Sequence, residues 1–159
     1  MEIQSKQAVT LTVNGYDHEV YIRNASTLVQ VLRENLGLTG AKVGCANGDC
    51  GSCTVLIDGD PINACHILAV EAVNTSIVTI EGLTETPIKE AFMSHWALQC
   101  GYCTPGFIMN VHALLKQHPN ADDSTISEWM DSNICRCTGY EEMKNVIHSL
   151  RIQGERKDA

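Results

Sequence analysis

Residues 41–55 read AKVGCANGDCGSCTV, a glycine-rich stretch that carries three of the eight cysteines in the chain. Cys45, Cys50 and Cys53 have the spacing Cys-x4-Cys-x2-Cys, and eleven residues separate Cys53 from Cys65. This spacing is typical of plant-type 2Fe–2S sites, where one loop presents three sulfurs and a nearby segment brings the fourth. The alternative is a zinc site, but zinc knuckles usually pair two Cys-x2-Cys elements. The stretch therefore predicts an iron–sulfur loop.

The glycines of this loop fit the same prediction. Gly44, Gly48 and Gly51 alternate with the cysteines and permit left-handed turns and close approach of the backbone. Their N–H groups can then point at the sulfurs, which stabilises an added electron and sets the reduction potential.

A second set of four cysteines lies in the other half of the chain. Cys100-Gly101-Tyr102-Cys103 and Cys135-Arg136-Cys137 are separated by thirty-one residues. A redox disulfide would need a thioredoxin-like βαβ context, which this half lacks. Both pairs precede predicted helix N-termini, at Thr104-Pro105 and Thr138-Gly139, where the helix dipole favours thiolates and an anionic cluster. These residues favour a second cluster and leave zinc as the alternative.

Composition and charge restrict the possible partners. The chain has 159 residues, 44% of them hydrophobic, and a formal net charge of −8, which argues against nucleic acid or an anionic membrane as partner. No segment approaches the roughly 18 apolar residues of a transmembrane helix, and the N-terminus does not resemble a secretory signal. Closely spaced thiols are expected to be ligands in a reducing compartment. We therefore expect a cytoplasmic protein without membrane insertion.

The first half has the periodicity of a β-rich domain. Apolar and polar residues alternate over 9–13, Asn14-Gly15 is a strong hairpin turn, and residues 16–22 form the return strand. A second hairpin is predicted around Asp58-Gly59, and a further short strand over 77–80. Between these elements, Thr27 and Gln30 form a capping box for a helix that should end at Gly37.

From about Thr84 the apolar residues recur with the helical period. Thr86-Pro87 and Thr104-Pro105 each place proline in a first helical turn, and residues 124–130 form a shorter helix. A capping box of Thr138 and Glu141 is predicted to begin the last helix. The chain thus divides into a β-rich domain over residues 1–80 and a helical domain over 81–159, and we expect Trp96 and Trp129 in the core of the second.

Taken together, these motifs resemble the small iron–sulfur subunit of the molybdenum hydroxylases, the xanthine dehydrogenase and aldehyde oxidoreductase family. The resemblance covers nearly the whole chain and is carried by GCANGDCGSCTV at 44–55, INAC at 62–65, QCGYCTPG at 99–106 and NICRCTGY at 133–140. It implies an α+β chain, with an N-terminal plant-ferredoxin-like β-grasp domain followed by a C-terminal four-helix bundle. One departure is Ser132-Asn133, where the family usually has Gly-Asn, which puts a local turn in doubt.

The resemblance also implies a function in electron transfer, with no catalytic residue in this chain. The family's large subunit holds molybdopterin, in bacteria often as the cytosine dinucleotide, and a medium subunit commonly binds FAD. Substrate is hydroxylated at molybdenum, and electrons pass through two 2Fe–2S clusters to the flavin. Neither a Walker-type nor a GxGxxG motif is present, so nucleotide binding by this chain alone is not expected.

Site residues follow by the same resemblance. One cluster is expected on Cys100, Cys103, Cys135 and Cys137, nearer the molybdopterin, and the other on Cys45, Cys50, Cys53 and Cys65, nearer the flavin. Gln99 matches the glutamine that approaches the molybdopterin, and Cys137 matches the ligand closest to it. Both are therefore expected to contact the cofactor.

Two other functions remain open at this point. A free-standing two-cluster ferredoxin would shuttle electrons between unrelated partners, although a lone carrier needs only one cluster domain. A zinc-binding interaction module would bind no iron at all. The resemblance implies that the substrate pocket belongs to another chain, so purines, N-heteroaromatics, aldehydes and carbon monoxide all stay open as substrates.

Overall fold

The first half of the chain forms one mixed sheet in the computed structural model, which describes residues 6–84 and 87–155. Its strands are β1 (Gln7–Val13), β2 (Tyr16–Ile22), β3 (Thr54–Ile57), β4 (Asp60–Asn63) and β5 (Ser76–Val78). The spatial order is β2-β1-β5-β3-β4, with β5 parallel to β1 and antiparallel to β3. The last strand of this half therefore lies between two hairpins that do not pair with each other.

Both hairpins turn where the sequence predicts. Asn14 and Gly15 have φ angles of 52° and 84°, and Asp58 and Gly59 have 52° and 97°. Two successive positive φ angles are the requirement of the type I′ turn, whose twist matches that of the paired strands. The predicted hairpins are confirmed.

The helix of the first half begins as predicted but continues irregularly. The N–H of Thr27 donates to Gln30 Oε1 at 3.0 Å and the N–H of Gln30 donates to Thr27 Oγ1 at 3.4 Å, which confirms the capping box. Helix α1 (Leu28–Gln30) then passes into a π-helical segment, Val31–Asn35, because the N–H of Leu36 bonds to the carbonyl of Val31. Gly37, at φ 70°, ends the segment.

Four helices are found in the described residues of the second half: α2 (Pro87–Ser94), α3 (Thr104–Gln117), α4 (Asp123–Met130) and α5 (Glu141–Glu155). Helix α2 packs against α3 and α5, and α3 also packs against α4. The predicted cap at Thr86 lies outside the described residues. Pro105 lies in the first turn of α3, as predicted, and none of the described helices is long and apolar enough to cross a membrane.

The predicted capping box of Thr138 and Glu141 is wrong. Helix α5 begins only at Glu141, and the hydroxyl of Thr138 is buried without a hydrogen-bond partner. The cause is Tyr140, whose hydroxyl accepts from the N–H of Cys135 at 2.9 Å and donates to its carbonyl at 3.0 Å. The main chain is therefore held against the Tyr140 side chain, and α5 begins only after Tyr140, which has a φ of 68°.

The predicted core position of Trp96 is also wrong. The side chain is 81% exposed and its φ is 56°, so the chain has turned out of α2 at this residue. Ala97 follows with no exposed surface and occupies the core instead. Trp129 is half-buried against the helical core, and its ring packs edge-on against His118 at a centroid distance of 5.4 Å.

The two halves share an apolar contact. Leu56 of β3 packs against Met109 and Ala113 of α3, and all three side chains are buried. This contact joins β3, which directly follows Cys53, to α3, which directly follows Cys103.

Candidate iron–sulfur sites

The first cysteine set lies at one end of the sheet. Cys45 and Cys50 belong to the irregular loop that precedes β3, Cys53 directly precedes that strand, and Cys65 follows β4. The N–H of Cys50 donates to Cys45 Sγ at 3.4 Å, and the N–H of Cys65 donates to Cys53 Sγ at 3.4 Å. The four thiols thus come together as two pairs, one half-buried and one buried.

The two pairs differ in their electrostatics. The N–H of Asn47 donates to Cys45 Sγ at 3.5 Å and lowers the pKa of that thiol to about 6, against a smaller opposing effect of burial. Burial raises the pKa of Cys53 to about 12, and the thiols of Cys65 and Cys50 reinforce this increase. A buried thiolate needs a nearby positive charge to be stable, and metal coordination supplies one.

At two positions of the first loop, the neighbouring atoms leave room for glycine but not for a Cβ atom. A Cβ on Gly44 would lie 2.8 Å from Cys50 Sγ. Gly51 has a φ of 66°, and a Cβ there would lie 2.2 Å from Asn133 Nδ2. The loop glycines predicted from sequence therefore serve close approach at Gly44 and a left-handed turn at Gly51.

The second cysteine set lies around the start of α3. Cys103 is the N-cap of that helix and is buried together with Cys135, whereas Cys100 and Cys137 are exposed. The Sγ atoms of Cys100 and Cys137 are 3.5 Å apart. Burial raises the pKa of Cys103 to about 12, followed in importance by the neighbouring Cys135 thiol. This set consists of one buried pair and one exposed pair, whereas the first set has a half-buried pair in place of the exposed one.

Only part of the predicted helix-dipole environment is present in this set. Cys103 lies at a helix N-terminus, as predicted, but α5 begins four residues after Cys137. The N–H of Thr138 instead donates to Cys135 Sγ at 3.3 Å. Burial raises the pKa of Cys135, but hydrogen bonds, chiefly those from Thr138, outweigh it, and the net effect is a lowered pKa.

The donor chemistry of both sets fits a two-iron cluster. All eight cysteines are free thiols, and a 2Fe–2S cluster takes four thiolates, two on each iron. Within residues 6–84 and 87–155, no group of three or more Cys, His, Asp or Glu side chains is arranged to hold a single ion. The two thiol pairs of each set therefore match the two thiolates that each iron of a 2Fe–2S cluster takes.

Gln99 is exposed immediately before Cys100. Since Cys100 and Cys137 are exposed and adjacent, these three residues lie on one surface of the helical half. The structure therefore brings together the two residues expected to contact an external cofactor.

The two cysteine loops touch each other, which the sequence does not reveal. The N–H of Ile134 donates to the carbonyl of Cys50 at 3.0 Å, and Asn133 Nδ2 donates to the carbonyl of Gly51 at 2.9 Å. Tyr102, between two cysteines of the second set, donates its hydroxyl to the carbonyl of Val43 at 2.9 Å. The only sequence signal for these contacts is that each residue lies inside or next to a cysteine motif.

Two family models match the chain. The model described as "2Fe-2S iron-sulfur cluster binding domain" matches residues 11–75, and that described as "2Fe-2S binding domain" matches residues 79–148. Each model spans one complete cysteine set.

Relatives of the chain are components of oxidoreductases. The nicotinate dehydrogenase small FeS subunit of Eubacterium barkeri is 41% identical over 140 residues, covering 86% of this chain and 89% of that protein. A probable xanthine dehydrogenase component from Bacillus subtilis (strain 168) is 44% identical over 159 residues, covering 97% of this chain and 92% of that protein.

Solved structures with the same fold agree with these relatives. Quinoline 2-oxidoreductase from Pseudomonas putida 86 matches with a TM-score of 0.89 and 38% identity, over 98% of both chains. The aldehyde oxidoreductase from Desulfovibrio desulfuricans ATCC 27774 matches with a TM-score of 0.87 and 39% identity, over 94% of this chain and 17% of the other.

Proposed function

The chain belongs to the family of small iron–sulfur subunits of the molybdenum hydroxylases, and we propose that it is an electron relay. Electrons enter from a molybdopterin site in a large partner subunit and pass through two 2Fe–2S clusters to FAD or another acceptor. The observation that carries this proposal is the contact between the two cysteine loops, where the N–H of Ile134 donates to the carbonyl of Cys50. A hydrogen-bonded contact between the two loops supports electron transfer from one site to the other.

The ligand assignment is part of the proposal. One cluster is held by Cys45, Cys50, Cys53 and Cys65, and the other by Cys100, Cys103, Cys135 and Cys137. It is supported by the arrangement of each set as two pairs of free thiols and by the match of each set to its own 2Fe–2S family model. When bound, each cluster supplies one-electron chemistry.

The residues of this chain have three tasks in such a relay. Cysteine thiolates hold the iron, and the N–H groups of Asn47 and Thr138, which donate to Cys45 Sγ and Cys135 Sγ, stabilise negative charge at the sulfurs. The burial of Cys53, Cys65, Cys103 and Cys135 keeps water from half of each site. The hydrogen-bonded loops keep the two sites at a fixed separation.

The exposed residues indicate which cysteine set faces the subunit that supplies electrons. Gln99, Cys100 and Cys137 form an open surface of the helical half, and we assign this surface to the molybdopterin-binding subunit. An amide at Gln99 can both donate to and accept from the polar edge of a pterin. The set with Cys45 then lies nearer the FAD-binding subunit, where one is present.

The proposal also covers the finer architecture. We propose a β-grasp domain over residues 1–80 and a four-helix bundle over 81–159, supported by the mixed sheet, the four described helices and the break between the two family matches. A cytoplasmic location is proposed because closely spaced ligand thiols suit a reducing compartment. The relatives are named for different substrates, nicotinate and xanthine among them, which fits a substrate site outside this chain.

Metal analysis and co-purification test this function. The purified chain should be red-brown, with about four iron and four labile sulfide per chain if both sites are filled. A tagged chain expressed in its native host should recover a larger, molybdenum-containing subunit, and substrate added to that complex should bleach the cluster absorption. Zinc in place of iron would contradict the proposal, and a monodisperse monomer that never associates would favour the free-standing ferredoxin.

A further inference from the structure

Asn133 occupies the junction between the two cysteine loops. It is two residues before the ligand Cys135, its side chain is only 3% exposed, and its Nδ2 donates to the carbonyl of Gly51, next to Cys50. The same carbonyl accepts from the N–H of Thr54 at 3.1 Å and from its hydroxyl at 2.7 Å. The Gly51 carbonyl is thus held by its own loop and by a side chain from the other domain.

The neighbouring Ser132 can orient the Asn133 amide through its hydroxyl. Ser132 Oγ lies 3.0 Å from Asn133 Oδ1 and accepts from Asn110 Nδ2 at 2.9 Å. Its single proton has two acceptors in reach, Asn133 Oδ1 and, at 2.7 Å, the carbonyl of Trp129. When Ser132 donates to Oδ1, the amide group of Asn133 can only direct its NH2 towards Gly51.

The Ser132 hydroxyl also links helix α3 to this junction, because it contacts both Asn110 of α3 and Asn133. A glycine there has no hydroxyl to orient Asn133 or to accept from Asn110. Ser132 therefore provides a polar connection from α3 to the contact between the cysteine loops.

Two glycines at this junction are packed too closely against their neighbours to carry a side chain. A Cβ on Gly51 would lie 2.2 Å from Asn133 Nδ2, and a Cβ on Gly106 of α3 would lie 2.1 Å from the Gly51 carbonyl oxygen. The loop of the first set is therefore held between Asn133 on one side and the first turns of α3 on the other. Both of these belong to elements that carry ligands of the second set.

From these contacts we propose that Asn133, oriented by Ser132, is a positioning residue that sets the separation and coupling of the two cluster sites. The inference rests on the proposed relay function, because coupling matters only when electrons pass between the sites. Electron exchange weakens steeply with separation, so a residue that fixes the contact of the two loops fixes the rate between them. Asn133 itself holds no iron in this scheme.

The test uses the full chain reconstituted with iron and sulfide, then fully reduced with dithionite. Two paramagnetic centres on hydrogen-bonded loops are expected to interact magnetically, and electron paramagnetic resonance measures that interaction. Asn133→Ala and Asn133→Asp should keep both sets of signals but lose the interaction. The aspartate keeps the size of the side chain, but its oxygens cannot donate to the Gly51 carbonyl. The exposed Asn120→Ala should behave as wild type.

Hydrogen exchange supplies a second readout. The N–H of Ile134 should lose its protection in Asn133→Ala, because its bond to Cys50 depends on the contact that Asn133 maintains. An unchanged magnetic interaction together with unchanged protection in Asn133→Ala overturns the inference while leaving the relay function intact. A wild-type chain that binds no iron overturns both.

Ser132→Gly decides the question if Asn133→Ala does not retain iron. This variant keeps the Asn133 amide and removes the Ser132 side chain, including the hydroxyl that orients the amide. Partial loss of both the magnetic interaction and the Ile134 protection supports the positioning role. Wild-type values for both readouts in Ser132→Gly overturn it.

Discussion

Ile134 and Cys50 are joined by a hydrogen bond of 3.0 Å between their main chains, although they belong to different halves of the molecule. The donor is next to Cys135, and the acceptor is Cys50, both of which we propose as cluster ligands. Since only backbone atoms take part, the side chain of either residue can be replaced while the bond is kept. Ligation and contact between the sites can therefore be tested separately.

Replacement of a single ligand should remove one cluster and leave the other. Cys50→Ser should abolish one set of paramagnetic signals and about half of the iron, because each cysteine set has its own half of the chain. Cys103→Ser should give the mirror pattern. Loss of both sets of signals in a folded variant would show that the eight cysteines form a single site.

The contact between Gly106 and the first cysteine loop should be sensitive to one added methyl group. In Gly106→Ala the Cβ would lie 2.1 Å from the Gly51 carbonyl oxygen, so helix α3 or the loop must shift. We expect the free energy of unfolding to fall by about 1–3 kcal/mol in denaturant titrations. Gly139→Ala is the matched control, because a Cβ there meets nothing within 4 Å. Equal stability of the two variants would contradict the prediction.

Gln99→Leu should affect the assembled complex and not the isolated chain. The side chain is exposed here, so both clusters should form normally. In the complex, an unpaired polar group on the pterin would cost about 1–3 kcal/mol, seen as lower molybdenum content or slower reduction of clusters by substrate. If both quantities equal those of wild type, Gln99 does not contact the cofactor.

The capping box of α1 should contribute measurably to the first half. Thr27→Ala removes the hydroxyl that accepts from the N–H of Gln30, and should lower the free energy of unfolding by about 1 kcal/mol. Thr39→Ala, at an exposed position outside any helix, is the control. A loss in the control as large as that in Thr27→Ala would mean that the cap contributes nothing.

Local signals in the sequence predict most of the fold. The Asn14-Gly15 and Asp58-Gly59 turns and the Pro105 helix start are determined by two or three adjacent residues, and the structure confirms each of them. The π-helical segment and the short 3-10 turn at Ala69–Ala72 are not foreseen, because apolar spacing does not distinguish them from ordinary helix or loop.

Errors occur where a tertiary contact overrides a local pattern. Thr138 and Glu141 have the spacing of a capping box, but the hydroxyl of Tyr140 bonds Cys135 and delays the helix. Trp96 is apolar and follows a helix, but the chain turns outward and places Ala97 in the core. The cysteine motifs indicate candidate site residues. The contact of Asn133 with Gly51 joins residues that are distant in the sequence, so only the three-dimensional structure reveals it.

The position of β5 in the sheet has a consequence for biosynthesis. The two hairpins of the first half are joined only through β5, whose residues Ser76–Val78 come late in that half. A nascent chain emerges N-terminus first, so the sheet that supports the first cysteine loop cannot close until that strand has left the ribosome. The bond from Ile134 to Cys50 can form only after most of the helical half has followed. In the proposed relay, iron delivery to the first cysteine set can therefore precede completion of the chain, whereas the contact between the two cysteine loops forms later.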